Sequence, residues 1–378
     1  MSPSFYPMIG GVEKYVQGMG TELVKLGIDV DVYTPDKVLG RRCGPPEDTI
    51  EGIRIHRIKV PFEASYRIKI WPGLGKALRR RPHSLIHVYS HDSYAIYALL
   101  AARKMGIPLA ITTYGPFETH SDYDAFRRGA FRLYDAVATP RIIGGANAVF
   151  VRYPDLARWA ESLGASTDRI FLEPSGIPKE CLVPRSPDKF RGSIPGSPII
   201  LYLGRISPQK GVQFAVESMA GIIKAFPDAK LVLIGPDYIG YSKHLKARAS
   251  ELGVSDAVIL MNPIQDEEAQ LEAISACDIF VMPSSFEGFS QSVMKAMAQG
   301  KPVAVTNVGG LPYEVDNGKC GRIFEYGNPE SMSSCVTSLL QDSTTATNMK
   351  ERGRVRAQSF TFDTLARRLA EHYDSMVN

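Results

Sequence analysis

The sequence lacks the features that mark several large classes of protein. No run of about 18 apolar residues occurs in its 378 residues, and no basic segment followed by an apolar core stands at its N-terminus. We therefore expect neither a membrane-spanning helix nor an export signal. Lys and Arg number 44 against 40 Asp and Glu, a net charge of only +4. A charge so small gives no reason to expect a nucleic-acid partner.

Cysteine is also scarce and scattered. The five cysteines form no Cys-x-x-Cys pair, and no histidine stands at metal-ligand spacing. This excludes the common structural zinc motifs and favours free thiols in a reducing cytoplasm. The five positions are Cys43, Cys181, Cys277, Cys320 and Cys335.

The composition that remains is typical of a soluble globular protein, with 44% hydrophobic and 22% charged residues. A chain of this length predicts two domains. Each half shows short apolar strands alternating with helices, which is typical of α/β folds with a parallel sheet. Residues 181–197 are rich in proline and glycine, so we predict a linker there between domains at 1–180 and 198–358.

The most informative stretch runs from Asp278 to Gly310. Its apolar run Ile279–Met282 predicts a buried strand, and helical spacing begins at Ser290. The loop between them carries one acid, Glu287. In an open parallel sheet, ligands bind beyond the carboxyl ends of the strands, and a following helix offers free N–H groups to an anion. Those groups belong to Phe289, Ser290 and Gln291.

A second strand-to-helix turn carries two cations. The strand Ile199–Leu203 is followed by Arg205 and Lys210, and a helical pattern begins after Gly211. Cations beside free N–H groups suit a diphosphate, although two surface cations alone are common. The pair Gly10-Gly11 before the first helix offers similar N–H groups, or else is only a tight turn and helix cap.

Taken together, these segments resemble the retaining nucleotide-sugar glycosyltransferases of the GT-B fold, glycosyltransferase family 4 (glycosyl transferases group 1). Besides Glu287, Arg205 and Lys210, the likeness includes Gly300-Lys301-Pro302 and Val308-Gly309-Gly310-Leu311-Pro312, and it extends over nearly the whole chain. It implies two Rossmann-like doubly wound domains that face each other across a cleft. It also implies that residues 359–378 form a helix returning to the N-terminal domain.

The resemblance implies roles for particular residues. Glu287 would face the donor sugar, while Arg205, Lys210, the Gly10-Gly11 turn and the amides of Phe289 to Gln291 would bind the donor diphosphate. Pro263 and Ile264 would meet the base. The donor is then an NDP-sugar, the acceptor a hydroxyl group on a glycan or a lipid-linked saccharide, and no metal or other cofactor is expected.

Three features depart from the family pattern. Lys295 stands where the family has a second Glu for the ribose, and an ammonium group can donate to a hydroxyl but cannot accept from it. Tyr114 replaces a histidine, and tyrosine is a poor base near pH 7. His91 or His120 could supply an imidazole, or either could be an ordinary structural histidine. The chain starts inside the loop that follows the first strand of the N-terminal sheet in the family, so we expect either an empty inner strand position or a misplaced start codon.

Two further patterns admit alternative interpretations. Asp29-Val-Asp31 and Asp122-Tyr-Asp124 match the metal-binding Asp-x-Asp of other glycosyltransferases, but strand alternation and loop position argue against a metal. The stretch Tyr66–Arg81 is basic with an aromatic residue, Trp71. It predicts either contact with an anionic membrane surface or a solvated helix.

The sequence thus predicts a metal-independent retaining hexosyltransferase, cytoplasmic and in peripheral contact with the membrane. The main alternative is a protein of the same fold that binds an NDP-sugar or a partner but has lost catalysis, which Lys295 and Tyr114 would explain. An epimerase or phosphorylase fits less well, because no lysine stands in a cofactor-type setting.

Overall fold

The computed structural model describes residues 1–8, 10–63, 68–116 and 125–377, and its chain divides into two compact units. The first unit contains Met1–Pro178 together with Phe362–Asn378, and the second contains Lys179–Thr361.

In the described part of the first unit, seven short strands follow the first helix, and strands and helices alternate from the second helix onward. Parallel strands with intervening helices are the pattern expected of βαβ units. Its elements up to the unit boundary are α1 (Gly11–Lys25), β1 (Asp31–Pro35), β2 (Lys37–Val38), β3 (Arg41–Arg42), β4 (Glu47–Ile50), β5 (Ile53–Ile58), β6 (Phe62–Glu63), β7 (Lys69–Ile70), α2 (Leu74–Leu78), β8 (Ile86–Tyr89), α3 (Tyr94–Met105), β9 (Leu109–Thr113), α4 (Ala125–Gly144), β10 (Ala148–Val151), α5 (Asp155–Ser162) and β11 (Ile170–Leu172).

The main sheet of the first unit is in two pieces. One piece has the order β1-β5-β4, and the other has the order β11-β10-β9-β8. The pairs β1–β5, β8–β9, β9–β10 and β10–β11 are all parallel. Strands β8, β9 and β10 are buried along their whole length, including the polar residues His87, Thr112 and Thr113.

The second unit contains one continuous sheet. Its six strands have the order β14-β13-β12-β15-β16-β17, and every pair is parallel. The elements are α6 (Asp188–Gly192), β12 (Ile199–Leu203), α7 (Val212–Ala225), β13 (Lys230–Ile234), α8 (Ser242–Glu251), β14 (Val258–Met261), α9 (Glu267–Ala276), β15 (Ile279–Met282), α10 (Gln291–Ala298), β16 (Val303–Thr306), α11 (Leu311–Glu314), β17 (Arg322–Phe324), α12 (Pro329–Gln341) and α13 (Ser343–Gln358).

The last helix, α14 (Phe362–Val377), belongs to the first unit. The Phe362 N–H donates to the carbonyl of Ile177 at 2.9 Å, and the Phe362 ring lies 6.2 Å from that of Tyr15 on α1. A Cβ on Gly18 would come within 2.5 Å of this ring. The absence of a side chain at Gly18 therefore lets α14 pack closely on α1.

The segment predicted as a linker, residues 181–197, is part of the second unit. It contains α6, and Arg191 of that helix donates to the carboxylate of Asp278 at 2.9 Å. The proline and glycine content indicated a loop, whereas the segment contains a short helix and side-chain bonds that fix it to its own domain. The unit boundary falls between Pro178 and Lys179.

The structure also changes the interpretation of the basic stretch Tyr66–Arg81. Trp71 is fully buried and stacks on Tyr94 at 5.2 Å between ring centres, and Lys69 is buried with its amine donating to the carbonyl of Pro3 at 3.1 Å. Trp71 is therefore wrong as a surface anchor. Tyr66 lies outside the described residues, whereas Arg79, Arg80 and Arg81 are exposed. Within the described part of the chain, no helix combines the length and apolar character needed to span a bilayer.

Candidate functional site

The candidate site lies where the strand order of the second unit reverses. The chain leaves β12 for β13 on one side, and β15 and β16 lie on the other, so the neighbours β12 and β15 form a topological switch point. Loops at the carboxyl ends of such strands diverge and leave a crevice for a ligand. The loop after β12 contains Arg205 and Lys210, and the loop after β15 contains Glu287.

Lys210 and Glu287 form an ion pair across this switch point. The Lys210 amine donates to Oε1 of Glu287, and the two side chains are 13% and 14% exposed. Because both remain partly accessible, they can exchange partners with a ligand without leaving a buried charge unpaired. The predicted phosphate-binding and sugar-binding side chains thus lie in direct contact.

Backbone bonds tie the two loops together. The carbonyl of Gln209 accepts from the Ser285 N–H at 2.9 Å and from its hydroxyl at 3.0 Å. The Ser284 hydroxyl donates to Glu287 Oε1 at 3.3 Å, and the Gly310 N–H donates to the Glu287 carbonyl at 2.8 Å. The position of the carboxylate is therefore set by neighbouring loops as well as by its own.

Two glycines make this close approach of backbones feasible. Gly211 has a φ of +64°, and a Cβ there would lie 1.8 Å from the carbonyl oxygen of Pro283. Gly309 has a φ of +53°, and a Cβ there would lie 2.0 Å from the carbonyl oxygen of Glu287. Both positions require glycine for conformation and for space.

Arg205, in the same loop as Lys210, is exposed, and no ion pair holds its guanidinium within the described ranges. Its backbone is fixed, because the hydroxyl of the buried Tyr202 donates to the Arg205 carbonyl at 2.7 Å. Burial raises the pKa of Tyr202 well above its usual value, and the nearby charge of Glu287 adds to the shift. The site thus offers one unbound cation next to one paired cation.

One backbone N–H at the N-terminus of α10 is already hydrogen-bonded to Glu314, a residue that was not predicted to belong to the site. Glu314 is fully buried, and its Oε1 accepts from the Ser290 N–H at 2.6 Å. The Ser290 hydroxyl caps the helix by accepting from the Val293 N–H at 3.3 Å. Burial raises the pKa of Glu314 well above its usual value, which favours the uncharged carboxyl. Of the three predicted amide donors, Ser290 is therefore engaged within the protein.

Glu314 stands two residues after Pro312, just beyond the motif Val308-Gly309-Gly310-Leu311-Pro312 that carries part of the resemblance. Helix α11 is held in place by Arg356, which donates to the carbonyl of Glu314 at 2.6 Å and to that of Tyr313. The buried ring of Phe360 lies 5.4 Å from Phe289. No spacing in the sequence links Arg356 to α11, since the two are about 40 residues apart.

The residues predicted to bind the nucleotide also lie together. The Lys295 side chain is 6% exposed, and its amine pairs with Glu267 at 2.6 Å and lies 3.4 Å from the amide oxygen of Gln270. Gln270 donates in turn to the carbonyl of Ile264 at 2.7 Å, next to the exposed Pro263. Glu267 was not predicted, and it places a carboxylate next to Lys295.

In the first unit, the first turn of α1 contains a carboxylate, that of Glu13. Gly10 precedes the helix and Gly11 opens it, and Glu13 in the first turn accepts from the hydroxyl of Ser4. A Cβ on Gly10 would lie 2.3 Å from the Glu13 carboxylate. A negative group this close opposes a second anion, so diphosphate binding at Gly10 and Gly11 stays a prediction.

Tyr114 lies in a buried polar cluster at the carboxyl ends of β9, β10 and β11. Arg152 is 1% exposed, donates to the Tyr114 hydroxyl at 2.9 Å and to the Glu173 carbonyl at 3.0 Å, and lies over the Tyr15 ring at 4.0 Å. The Tyr15 hydroxyl donates to the Glu173 carboxylate at 3.0 Å. Burial raises the pKa of Glu173 to about 7, against the opposing charge of Arg152. Neither Arg152 nor Glu173 was predicted.

His91 is also buried, at 1% exposure. Its Nδ1 lies 3.1 Å from the Thr113 hydroxyl and its Nε2 lies 3.6 Å from Asp135. This packing allows no direct contact with a substrate unless the ring becomes exposed, so its catalytic role stays a prediction.

The remaining candidates are resolved in different ways. Asp29 and Asp31 both bind Arg54, at 3.0 Å and 2.8 Å, so this Asp-x-Asp pair forms salt bridges. His120, Asp122 and Asp124 lie outside the described residues. Within the described ranges, no cluster of three or more His, Cys, Asp or Glu is arranged to hold a metal ion.

Two family models match the chain in succession. The Glycosyl transferase 4-like domain matches residues 10–176, and Glycosyl transferases group 1 matches residues 185–356. Among similar proteins, a D-inositol 3-phosphate glycosyltransferase of Corynebacterium urealyticum is 27% identical, with 97% of this chain and 91% of the relative covered. A protein of the same name from Nocardia farcinica is 26% identical, with 97% and 85% covered.

Solved structures agree on the fold. Sucrose-phosphate synthase from Thermosynechococcus elongatus aligns with a TM-score of 0.79 at 22% identity, covering 97% of this chain and 93% of the other. HepE from Anabaena, in complex with UDP-glucose, aligns with a TM-score of 0.73 at 16% identity, covering 99% and 100%. The predicted fold and enzyme class are confirmed: the chain is a glycosyltransferase with the GT-B fold.

Proposed function

We propose that this protein transfers a hexose-like sugar from an NDP-sugar to a hydroxyl acceptor, with retention of anomeric configuration and without a metal ion. The acceptor is a glycan or a lipid-linked saccharide, and the reaction takes place in the cytoplasm. The observation that carries the proposal is the contact between Lys210 and Glu287 at the switch point of the second unit, with Arg205 exposed beside it.

The chemistry follows from these charges. When the glycosidic bond of the donor breaks, negative charge accumulates on the departing diphosphate. Lys210 and Arg205 are two fixed cations at the carboxyl ends of the strands, where they would stabilise that charge. Preorganised cations of this kind supply the role that a divalent metal has in other transferases.

Glu287 would bind the sugar. Its carboxylate accepts hydrogen bonds from hydroxyl groups, and its orientation is fixed through Ser284 and Gly310. When a diphosphate draws Lys210 away, Glu287 loses one donor and can accept from the sugar instead. The leaving phosphate oxygen would take the proton of the acceptor hydroxyl on the same face of the sugar, which gives retention.

The similar proteins suggest which ligands to test first. Several relatives are named D-inositol 3-phosphate glycosyltransferases, and the Anabaena neighbour was solved with UDP-glucose. A UDP-sugar donor and a cyclitol or sugar hydroxyl acceptor are therefore the first combination to assay. The sequence does not identify the base of the donor, so ADP- and GDP-sugars belong in the same panel.

Peripheral membrane contact is a further part of the proposal. Arg79, Arg80 and Arg81 are exposed at the end of α2, and this cluster would attract anionic headgroups. Because Trp71 is buried, the attraction would be electrostatic and would weaken with salt. Co-sedimentation with vesicles containing phosphatidylglycerol at low and high salt tests it, and equal binding of Arg80→Ala/Arg81→Ala and parent protein would contradict it.

The alternative is a protein that binds the donor and does not catalyse transfer. Lys295 favours it, since its buried ammonium pairs with Glu267 where an acceptor of ribose hydrogen bonds is expected. One experiment distinguishes the transferase from the binding protein. A thermal-shift panel of UDP-, GDP- and ADP-sugars is followed by an assay for released nucleotide. Stabilisation together with release supports the transferase, and stabilisation without release under any acceptor tested supports the binding protein.

Mechanism and metal dependence need separate measurements. We expect turnover to survive exhaustive chelation with EDTA, and a loss that Mg²⁺ or Mn²⁺ restores would overturn metal independence. The anomeric proton coupling in the NMR spectrum of the product reports the stereochemistry. A product of inverted configuration would overturn the retaining mechanism while leaving the transferase assignment intact.

A further inference from the structure

A groove of about 520 Å³ lies between α3 and α4 in the first unit. Its size falls within the range of about 300–1,000 Å³ that is common for small-molecule sites. Each helix contributes side chains at the spacing of three and four residues that places them on one helix face. Those of α3 are Ile96, Leu99, Leu100 and Arg103, and those of α4 include Ala138, Arg141 and Ile142.

The floor of the groove is buried and apolar, and its rim is apolar but exposed. Leu99 and Ile142 are buried, whereas Leu100 is 58% exposed. Helix α4 adds Leu133, which is 67% exposed, and Val137, which lies one helical turn before Arg141. Clustered apolar side chains that remain in contact with water around a pocket are typical of a binding surface.

Two guanidinium groups border this apolar surface. A Cβ on Gly145 would lie 3.0 Å from Nη2 of Arg103 and 3.2 Å from Cδ1 of Leu99, so the Arg103 side chain lies over Gly145 at the end of the groove. Arg141 donates to the carbonyl of Val137, one turn before it. Both arginines are exposed, and in the part of the chain that the structure describes neither pairs with a carboxylate. Both are therefore available to an anion.

The charge of the two helices is almost all of one sign. Together α3 and α4 contain six Lys and Arg residues and one acid, Asp135. Asp135 is half-buried, and its carboxylate accepts from the Thr139 hydroxyl of the same helix at 2.9 Å. An apolar groove bordered by positive charge is complementary to an apolar chain with an anionic head, which is the chemistry of an anionic lipid.

Two other occupants fit the groove less well. Helices bond their backbone groups internally, so α3 and α4 offer no row of N–H and C=O groups to an extended peptide. The backbone of such a peptide would lose its hydrogen bonds to water without replacement, whereas an acyl chain has no polar group to satisfy. A second copy of this chain, related by a two-fold axis, would bring the same positive surface against itself.

We propose that this groove binds an acyl chain of an anionic phospholipid at a bilayer surface, with Arg103 and Arg141 contacting the headgroup. The proposal goes beyond the contact proposed for Arg79–Arg81, which is electrostatic and requires no acyl chain. An apolar site resists salt, because only the attraction between charges is screened. The site does not depend on the transfer reaction.

The first test separates apolar from electrostatic binding. Ile96→Gln/Leu100→Gln replaces two exposed apolar side chains of α3 by a residue that also favours helices. We expect binding to phosphatidylglycerol vesicles at high salt to weaken by about tenfold or more, because burial of the acyl chain is lost. The matched control is Val183→Gln/Val355→Gln, which changes two similarly exposed apolar residues of the second unit and should bind as the parent does. Co-sedimentation measures all three proteins.

The second test concerns the headgroup. Arg103→Gln/Arg141→Gln should lower the preference for phosphatidylglycerol over phosphatidylcholine vesicles at low salt by about fivefold or more, since each cation near the surface adds to the attraction. The same preference in this variant and in the parent would contradict the headgroup contact.

The third test locates the chain on the unaltered protein, and so decides even if a variant fails to fold. Phosphatidylglycerol with a diazirine in its acyl chain should, after irradiation, label peptides that contain residues 96–103 or 138–142. Labelling confined to other segments would overturn the proposal, as would equal binding of Ile96→Gln/Leu100→Gln and parent at high salt. If the parent binds only at low salt and Arg80→Ala/Arg81→Ala abolishes that binding, the contact at Arg79–Arg81 stands and the groove is not a lipid site.

Discussion

Both units carry charged groups at the carboxyl ends of their strands, but these groups differ in how far they are exposed to solvent. In the second unit, Lys210 and Glu287 remain partly exposed at the switch point of an unbroken sheet. In the first unit, Arg152 and Glu173 are almost completely buried beside Tyr114. The same strand-helix alternation thus produces an accessible charged pair in one unit and a sequestered one in the other.

This difference indicates separate roles for the two clusters. Partly exposed charges can change partners when a ligand arrives, whereas buried charges are costly to separate and mainly fix the local structure. We therefore expect changes in the second unit's pair to reduce turnover with little effect on folding. Changes in the first unit's cluster should alter stability and its dependence on pH.

The largest effect should come from Lys210→Ala. Removing one of two cations at the departing diphosphate should lower turnover by roughly 10² or more, as for other preorganised groups that stabilise developing charge. Initial rates of nucleotide release under saturating donor measure it. Lys224→Ala, an exposed lysine of the same unit, is the matched control and should stay within about twofold. An unchanged rate for Lys210→Ala would remove the phosphate role.

The next largest effect should come from Gly309→Ala. The new Cβ would lie 2.0 Å from the Glu287 carbonyl at a φ of +53°, so the Glu287 loop must shift. We expect turnover to fall by about tenfold or more, since misplacement of a binding group by 1 Å is costly. Gly253→Ala has a similar φ of +66° with open space around it, and so controls for backbone strain alone. Equal activity of the two variants would show that the loop position does not matter.

Glu173→Gln should reveal a pH-dependent effect on stability in the first unit. Burial raises the pKa of Glu173 from 4.5 to about 7, so the folded protein holds a proton that the unfolded chain releases across this range. Ionisation of Glu173 then costs stability as pH rises from 4.5 to 7, by up to about 3 kcal/mol at pH 7 and above.

The difference in Tm between Glu173→Gln and the parent isolates this group from others that titrate. The variant should gain several degrees relative to the parent between pH 5 and pH 8. A difference in Tm that is constant over this range would contradict the raised pKa.

The smallest effect should come from Glu314→Gln in the second unit. Burial raises the pKa of Glu314 and so favours its uncharged form, and an amide has nearly the same shape as that form and also presents an oxygen to the Ser290 N–H. Turnover should stay within about twofold and Tm should change little between pH 6 and pH 8, whereas Glu314→Ala leaves Ser290 without its acceptor and should lower Tm. A large loss in Glu314→Gln would mean that this carboxyl is ionised and acts directly on the donor.

Much of the second unit was predictable from local patterns. The strands Ile199–Leu203 and Ile279–Met282 have the predicted bounds, because short apolar runs followed by glycine-containing loops are distinctive. The resemblance placed Lys210 and Glu287 at the same site, but their ion pair was not predicted, since the two residues are 77 positions apart in the sequence. Glu314, Glu267 and Arg356 escaped prediction because each acts through a partner far along the chain.

The first unit was less predictable at its site. Arg152 follows an apolar strand and has no neighbour in sequence that would indicate burial next to Glu173. The sequence left His91 open as a catalytic imidazole or a structural histidine, and the structure buries it between Thr113 and Asp135. Trp71 was expected at the surface because its neighbours are basic, but the side chain packs on Tyr94 from a later helix.

By itself, the sequence determined the alternation of strands and helices, the presence of two domains and the loops that carry the charged residues. These follow from local periodicity and from glycine and proline, which act over a few residues. The tertiary structure decided which charges meet, which are exposed and where the sheet of the first unit is open. Those outcomes depend on strand order and on contacts between distant segments, and neither is encoded in the spacing of neighbouring residues.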